Sequence, residues 1–496
     1  MHSTRLGLLS VLSLCIMTCA FPRATASQAT QTKTPDTPAG RQLAALLQAL
    51  NTTDAKTVRT FVEEHISKSF LEAIPLDKHV AVNSKFAEEN GGLALERIEH
   101  ADTYEIAALT RAKGDKTLIR IHMKVEEEPP HGISGLYYEI DPDITATPEK
   151  PGEGKMTEAQ ILEGLETYLN ERAAADRFSG AVLIAKDGTP IFARAYRLAS
   201  KAFNVPNRVD TKFNLGSMNK MFTAIAIAQL AEKAKLSFDD TVGKHLPDYP
   251  NKDVANKVTI HHLLTHTSGM GDFFTEEYEK SSKERLRAVK DYFPLFINEP
   301  LKFEPGQKWE YSNSGFMLLG AIIEKVSGHS YFDYVRENLY EPAGMTNTDC
   351  YEMDQDTPNL AIGYTRERRS RAWKNNLYLH VVKGGPAGGG FSTVEDLLKF
   401  DIALRNYKLL SPKYTHLVLT GKVALPDSST SKYAYGFEDE SRNGHRIVGH
   451  NGGFPGISSQ LDIYLDLGYT VAVMSNYDPP AASRVTDRLR DMLTQE

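Results

Sequence analysis

"FNLGSMNKMFTAIAIAQL", residues 213–230, sets a serine and a lysine three positions apart at the head of an unbroken apolar run with helical spacing. On a helix this places Ser217 and Lys220 on one face, with β-carbons roughly 5–6 Å apart. Gly216 and Ser217 then fall at the helix start, where free backbone N–H groups and the helix dipole favour developing negative charge. A serine hydroxyl is a weak nucleophile until a neighbour removes its proton, and a desolvated lysine can do so. Met221, Phe222, Ile225 and Ile227 supply apolar surroundings for that lysine. Taken alone the motif is weak, because Ser429 and Lys432 repeat it inside the polar stretch "PDSSTSK".

Two further elements share its chemistry. Tyr311-Ser312-Asn313 lies in "FEPGQKWEYSNSGFMLLGAIIEKVSG". A phenol whose proton is drawn toward a lysine acts as general base and then general acid, and an amide side chain hydrogen-bonds a substrate carbonyl. Tyr-x-Asn also recurs, at Tyr168 and Tyr249, and its bland reading is a loop tyrosine before a helix. His450-Asn451-Gly452-Gly453 precedes the strand-like "ISSQLDIYL". Glycines there let a substrate acyl group lie against a backbone edge with an N–H aimed at an oxyanion, although an ordinary hairpin turn uses the same residues.

In this order and with these separations, the three elements resemble the serine β-lactamase and penicillin-binding-protein superfamily, whose motif set includes Ser-x-x-Lys and Lys-Thr-Gly. The likeness is to the class C branch, with its D-alanyl-D-alanine carboxypeptidase-like, D-aminopeptidase and esterase members. It extends to "VTIHHLLTHTSGM" (258–270) and "GGGFSTVEDLLKF" (388–400) and covers roughly residues 157–496. The resemblance implies an α+β fold: an antiparallel sheet built from both ends of the domain, flanked by helices, with a mostly helical subdomain inserted. It implies Ser217 as acylated nucleophile, Lys220 as its proton acceptor or electrostatic partner, and Tyr311 as general acid/base. Asn313, His450, Asn451 and Gly452 would bind substrate, the N–H groups of Ser217 and Gly453 would form the oxyanion hole, and no metal or organic cofactor would be needed. One departure matters. The third motif usually begins with lysine, and here His450 stands in that place. A histidine is mostly neutral at pH 7 and holds a substrate carboxylate poorly. The departure favours an esterase or peptidase-like hydrolase over a true β-lactamase or carboxypeptidase. The rival from another class is a non-hydrolytic sensor that binds penicillin or a cell-wall fragment.

Outward from the site, 496 residues exceed what one core usually supports. "MHSTRLGLLSVLSLCIMTCAFPRATASQ" reads as a secretory signal over residues 1–26, which implies a secreted or periplasmic protein. A lipoprotein anchor through Cys19 fits less well, and loss of Cys15 and Cys19 with the signal leaves Cys350 without a disulfide partner. Residues 27–140 carry helical spacing followed by alternating runs, predicting a small α+β domain loosely similar to NTF2-like cones. "DPDITATPEKPGEGK" marks a linker at 141–156, and residues 157–496 form the hydrolase domain. A net charge of −7 and the want of a basic, aromatic-interleaved stripe argue against nucleic acid as a partner and leave a small-molecule or peptide ester or amide. His262 and His266 have the spacing of a helical zinc pair, but Leu263 replaces the glutamate, so they are expected to cap and pack. Gly384, Gly385 and Gly388–Gly390 read as a mobile loop beside the cleft, and Trp309 and Tyr364 as core or pocket lining.

Overall fold

The computed structural model describes residues 33–139 apart from 53 and 115, then 156–366, 372–426 and 430–495. The expected signal over 1–26, Cys19, and the expected linker up to residue 155 lie outside the described residues. The described chain forms two compact units, residues 33–139 and residues 156–495.

In the first unit, helices Pro38–Leu50, Ala55–His65, Lys68–Ala73 and Leu76–Asn90 precede four antiparallel strands that pair in chain order. Asp54 starts the second helix by accepting hydrogen bonds from the Lys56 and Thr57 N–H groups. The strand Leu118–Val125 alternates, so Ile119, Ile121, Met123 and Val125 point inward to a core shared with Leu43, Leu46 and Leu50.

The second unit is organised by an eight-stranded antiparallel sheet. Its order runs Val423–Ala424, Ser431–Tyr433, Glu438–Arg442, His445–Phe454, Ile457–Tyr464, Tyr469–Ser475, Gly180–Lys186, Thr189–Tyr196. Strands from the two ends of the domain therefore meet in the centre, where Gly180–Lys186 pairs with Tyr469–Ser475. Asp187 and Gly188, both at positive φ, make the two-residue turn of the first hairpin. The central strands are buried on both faces, which explains their near-continuous apolar runs. Val182 and Ile184 pack under helices Glu158–Ala174 and Ala481–Leu493. Ala181, Leu183 and Ala185 face the opposite way, toward the core that holds the Ser217 helix.

The middle of the chain is less helical than its sequence suggests. Asn313–Ser327 and Val394–Arg405 are full helices, but Ile260–Leu264, Glu276–Lys280 and Lys283–Arg285 are single turns. Pro247, Pro250, Pro294, Pro300 and Pro305 punctuate this stretch, and proline removes the N–H that a helix interior requires. Among the described residues, no helix is long and apolar enough to cross a membrane.

Candidate active site

Ser217 lies in one 3-10 turn, Gly216–Met218, that feeds the α-helix Asn219–Glu232. Gly216 has φ of +51°, and a β-carbon on it would stand 3.0 Å from Gly452 and from the Gly453 nitrogen. A β-carbon on Gly452 would lie 2.0 Å from the Leu215 carbonyl oxygen. The helix start thus presses against the edge of strand His445–Phe454 at a separation only glycine permits. Gly453 is exposed there, whereas Gly452 is buried against the helix start rather than open to substrate.

Lys220 is fully buried and reaches three oxygens: Ser217 Oγ at 3.2 Å, Asn313 Oδ1 at 2.7 Å and the Ala387 carbonyl at 2.6 Å. The last two can only accept, so two N–H bonds of Lys220 are committed to them. As an amine, Lys220 keeps its lone pair for the Ser217 proton; as an ammonium, its third N–H points back at Oγ. Asn313 joins this group to a carboxylate, since its Nδ2 donates to Asp272 Oδ2 at 2.7 Å and its backbone N–H to the same oxygen at 3.2 Å. Burial pushes the Asp272 carboxyl up, against the pull of the Phe274 and Asn313 N–H groups and of the Lys220 charge. One N–H of the Asn313 amide is used this way, and an amide carries two.

Tyr311 stands just before the helix Asn313–Ser327, which Ser312 caps by accepting from the Gly315 N–H. Its ring centroid is 4.6 Å from Lys220 Nζ, and the ring of His266 lies 4.2 Å away, tilted by 31°. His266 is buried in the left-handed region at φ of +58°, an uncommon conformation for a non-glycine residue and one that recurs at functional sites. Its Nδ1 accepts from the Ser312 N–H at 3.0 Å, so the proton of its neutral form is on Nε2 and is donated to the Tyr433 hydroxyl at 3.1 Å. His450 Nδ1 lies 2.5 Å from the Asn451 carbonyl, which only accepts. His450 therefore carries its proton on Nδ1, and its Nε2 accepts from the Tyr433 hydroxyl at 2.9 Å. The chain has one consistent direction: His266 to Tyr433 to His450 to the Asn451 carbonyl. Burial, then the Lys220 charge, holds His266 well below the ordinary histidine range and brings His450 down to about 3.

Several expectations change. His450, read as a substrate contact, is 1% exposed with both ring nitrogens engaged, because the strand turns it beneath the cleft toward Tyr433. Asn451 is half-buried beside it. The glycine-rich loop is largely buried and bonded: Gly385 and Gly388 exchange backbone hydrogen bonds, Gly389 N–H donates to the Gly216 carbonyl, and Ala387 offers its carbonyl to Lys220. It is a wall of the site. His262 caps its own helix through the Thr259 N–H and so diverges from His266. Trp309 stands 5.9 Å from the His266 ring and belongs to the aromatic box under Tyr311, whereas Tyr364 packs on the other face of the sheet and accepts from the Lys201 N–H. Sequence reading missed Asp272, His266, Tyr433 and Ala387. In the sequence His266 reads only as the second histidine of a helical pair with His262, and no spacing ties it or Asp272 to Tyr311 or Asn313.

A family model described as Beta-lactamase matches residues 165–496, leaving the first unit outside it. The chain is 32% identical over 325 residues to penicillin-binding protein 4* of Bacillus subtilis, covering 63% of this chain and 71% of that one. Among solved structures, a penicillin binding protein from Bacillus halodurans shares 36% identity with a TM-score of 0.60, over 66% of this chain and 98% of that one. A D-stereospecific amidohydrolase from Streptomyces sp. shares 25% identity with a TM-score of 0.57, over 68% and 98% respectively.

Proposed function

The chain belongs to the β-lactamase family of serine hydrolases, which work through an acyl-enzyme, and from that premise we propose that it hydrolyses ester or amide bonds whose leaving side carries no carboxylate. Ser217 Oγ gives its proton to the Lys220 amine and bonds to the substrate carbonyl carbon. The carbonyl oxygen takes up the negative charge between the N–H groups of Ser217 and Gly453. The bond to the leaving oxygen or nitrogen then breaks, and that atom receives a proton through Tyr311. A water molecule adds to the acyl carbon, gives its proton back through Tyr311 and Lys220, and releases the acid with Ser217 restored. Asn313, held by Asp272, directs its second N–H to the substrate.

The observation that carries the substrate reading is the state of His450. Buried, engaged at both nitrogens and brought down to about 3, it is neutral at working pH and offers no cation to a carboxylate. The named activity of the Streptomyces relative, a D-stereospecific amidohydrolase, supports amides as well as esters. The signal-like N-terminus supports a secreted or periplasmic site of action. The test compares kcat/KM on matched neutral esters and amides with that on peptides ending in a free carboxylate. The neutral series is expected to turn over faster. Equal or better turnover of free-carboxylate peptides by the unaltered protein would overturn this reading.

A further inference from the structure

Two phenylalanine rings, one from the helical side of the site and one from the sheet side, lie against each other. On the helical side, Phe274 follows Asp272 by two residues, and its N–H donates to Asp272 Oδ1 at 3.1 Å while Oδ2 holds Asn313. On the sheet side, Phe454 ends the strand that carries His450 and immediately follows Gly453. The two ring centroids are 6.0 Å apart with planes inclined by 31°. Each is backed by a further ring: Phe274 by Tyr278 at 4.9 Å, and Phe454 edge-on by the buried His380 at 5.9 Å. Both are half-buried. Beyond Phe454, the Asn376 amide donates to the Pro455 carbonyl at 2.9 Å, and the chain continues into Leu377, Tyr378 and Leu379, exposed by 42, 93 and 41%.

The direction of the strand says which part of a substrate meets these rings. A carbonyl held at the Gly453 N–H has two substituents, and they run in opposite directions along the edge. The proposed function puts the leaving group toward His450, and on that reading the acyl group runs toward Phe454. That side offers two aromatic faces and an apolar lip, with no charged side chain among Phe274, Phe454 and Leu377–Leu379. Aromatic faces attract an apolar or aromatic chain by offset stacking and release of water, and reject a solvated charge.

We propose that Phe274 and Phe454 are specificity-determining residues that grip the acyl group, and that the substrates are donors of uncharged, apolar acyl groups. This rests on the serine hydrolase reading of Ser217. The test measures kcat/KM of the full-length protein and of Phe274→Ala and Phe454→Ala on p-nitrophenyl acetate, butyrate, phenylacetate and hemisuccinate. The unaltered protein is expected to favour phenylacetate over acetate by about 10-fold or more and hemisuccinate least, the range by which apolar pockets discriminate. Each alanine variant is expected to lose most of that preference, read as the ratio of phenylacetate to acetate kcat/KM within the same variant. Phe274→Leu and Phe454→Leu, which retain apolar volume without a ring, decide the matter if an alanine variant is insoluble: they too should lose preference for phenylacetate over butyrate. Retained acetate turnover with no preference among acyl groups, or with hemisuccinate preferred, overturns the grip and leaves the hydrolase standing. Absence of turnover on every ester by the unaltered protein, with Ser217 unlabelled by a fluorophosphonate, overturns both.

Discussion

Two buried polar clusters in the second unit resolve buried charge in opposite ways. In one, Arg490 from the last helix meets Asp462 through Nε at 2.7 Å and Nη2 at 2.8 Å, and reaches Glu440 at 3.2 Å. Opposite charges touch directly, and the remaining lone pairs are taken up locally, as where Gln460 donates to Asp462. In the other, Lys220 and Asp272 are kept apart by the Asn313 amide, which accepts from one and donates to the other. Direct contact leaves neither ion anything to give a ligand. The interposed amide leaves Lys220 its third position, and that position is Ser217. A buried ion pair fixes structure; a divided one retains chemistry.

Breaking the two clusters should therefore separate activity from stability. Ser217→Ala should lower kcat about 10⁴-fold or more while the melting temperature hardly moves, measured by ester hydrolysis beside calorimetry. Arg490→Ala should do the reverse, costing about 3–5 kcal/mol by denaturant titration because it strands the Asp462 charge, with turnover per folded molecule unchanged. Asp272→Asn weakens the charged anchor of Asn313 and should reduce kcat/KM about 10- to 100-fold, as loss of a charge-assisted hydrogen bond worth about 1.5–3 kcal/mol requires. An unaltered rate would place Asp272 with the structural cluster. Tyr433→Phe removes the hydroxyl between the two histidines and should lower kcat about 5- to 10-fold with KM unchanged, the effect of one neutral hydrogen bond of about 1 kcal/mol.

The remaining effect is in pH dependence. His450 falls from its ordinary value to about 3 on folding, so the unfolded chain binds the proton that the folded one refuses. Its contribution to stability is complete above about pH 6.5 and is lost as pH falls toward 3, at a slope of about 1.4 kcal/mol per pH unit. His450→Gln should flatten the stability profile between pH 6 and 4 by one proton, read from urea titrations. An unchanged slope would mean His450 is charged in the folded protein.

What the sequence disclosed follows from range. Ser217 and Lys220 were legible because three residues on a helix fix a distance. Tyr311 and Asn313 emerged only through resemblance, since 93 residues separate Lys220 from Asn313 and no periodicity spans them. Ala387 contributes a backbone carbonyl, which no side-chain pattern announces. Tyr433 bridges His266 and His450 from 167 residues after one and 17 before the other, and its role exists only once three segments converge. The burial of His450 depended on which face of the strand turned inward, a matter of packing across the helix start.

The central claim is that Ser217 is the residue acylated and then released. The most direct measurement is time-resolved intact mass spectrometry of the protein exposed separately to a fluorophosphonate and to a penicillin, with the adduct mapped by peptide. A stable fluorophosphonate adduct on Ser217, absent from Ser217→Ala, together with no penicillin adduct or one released quickly, is the result this account predicts. A Ser217 left unmodified by both probes, or a penicillin adduct that persists, would contradict it.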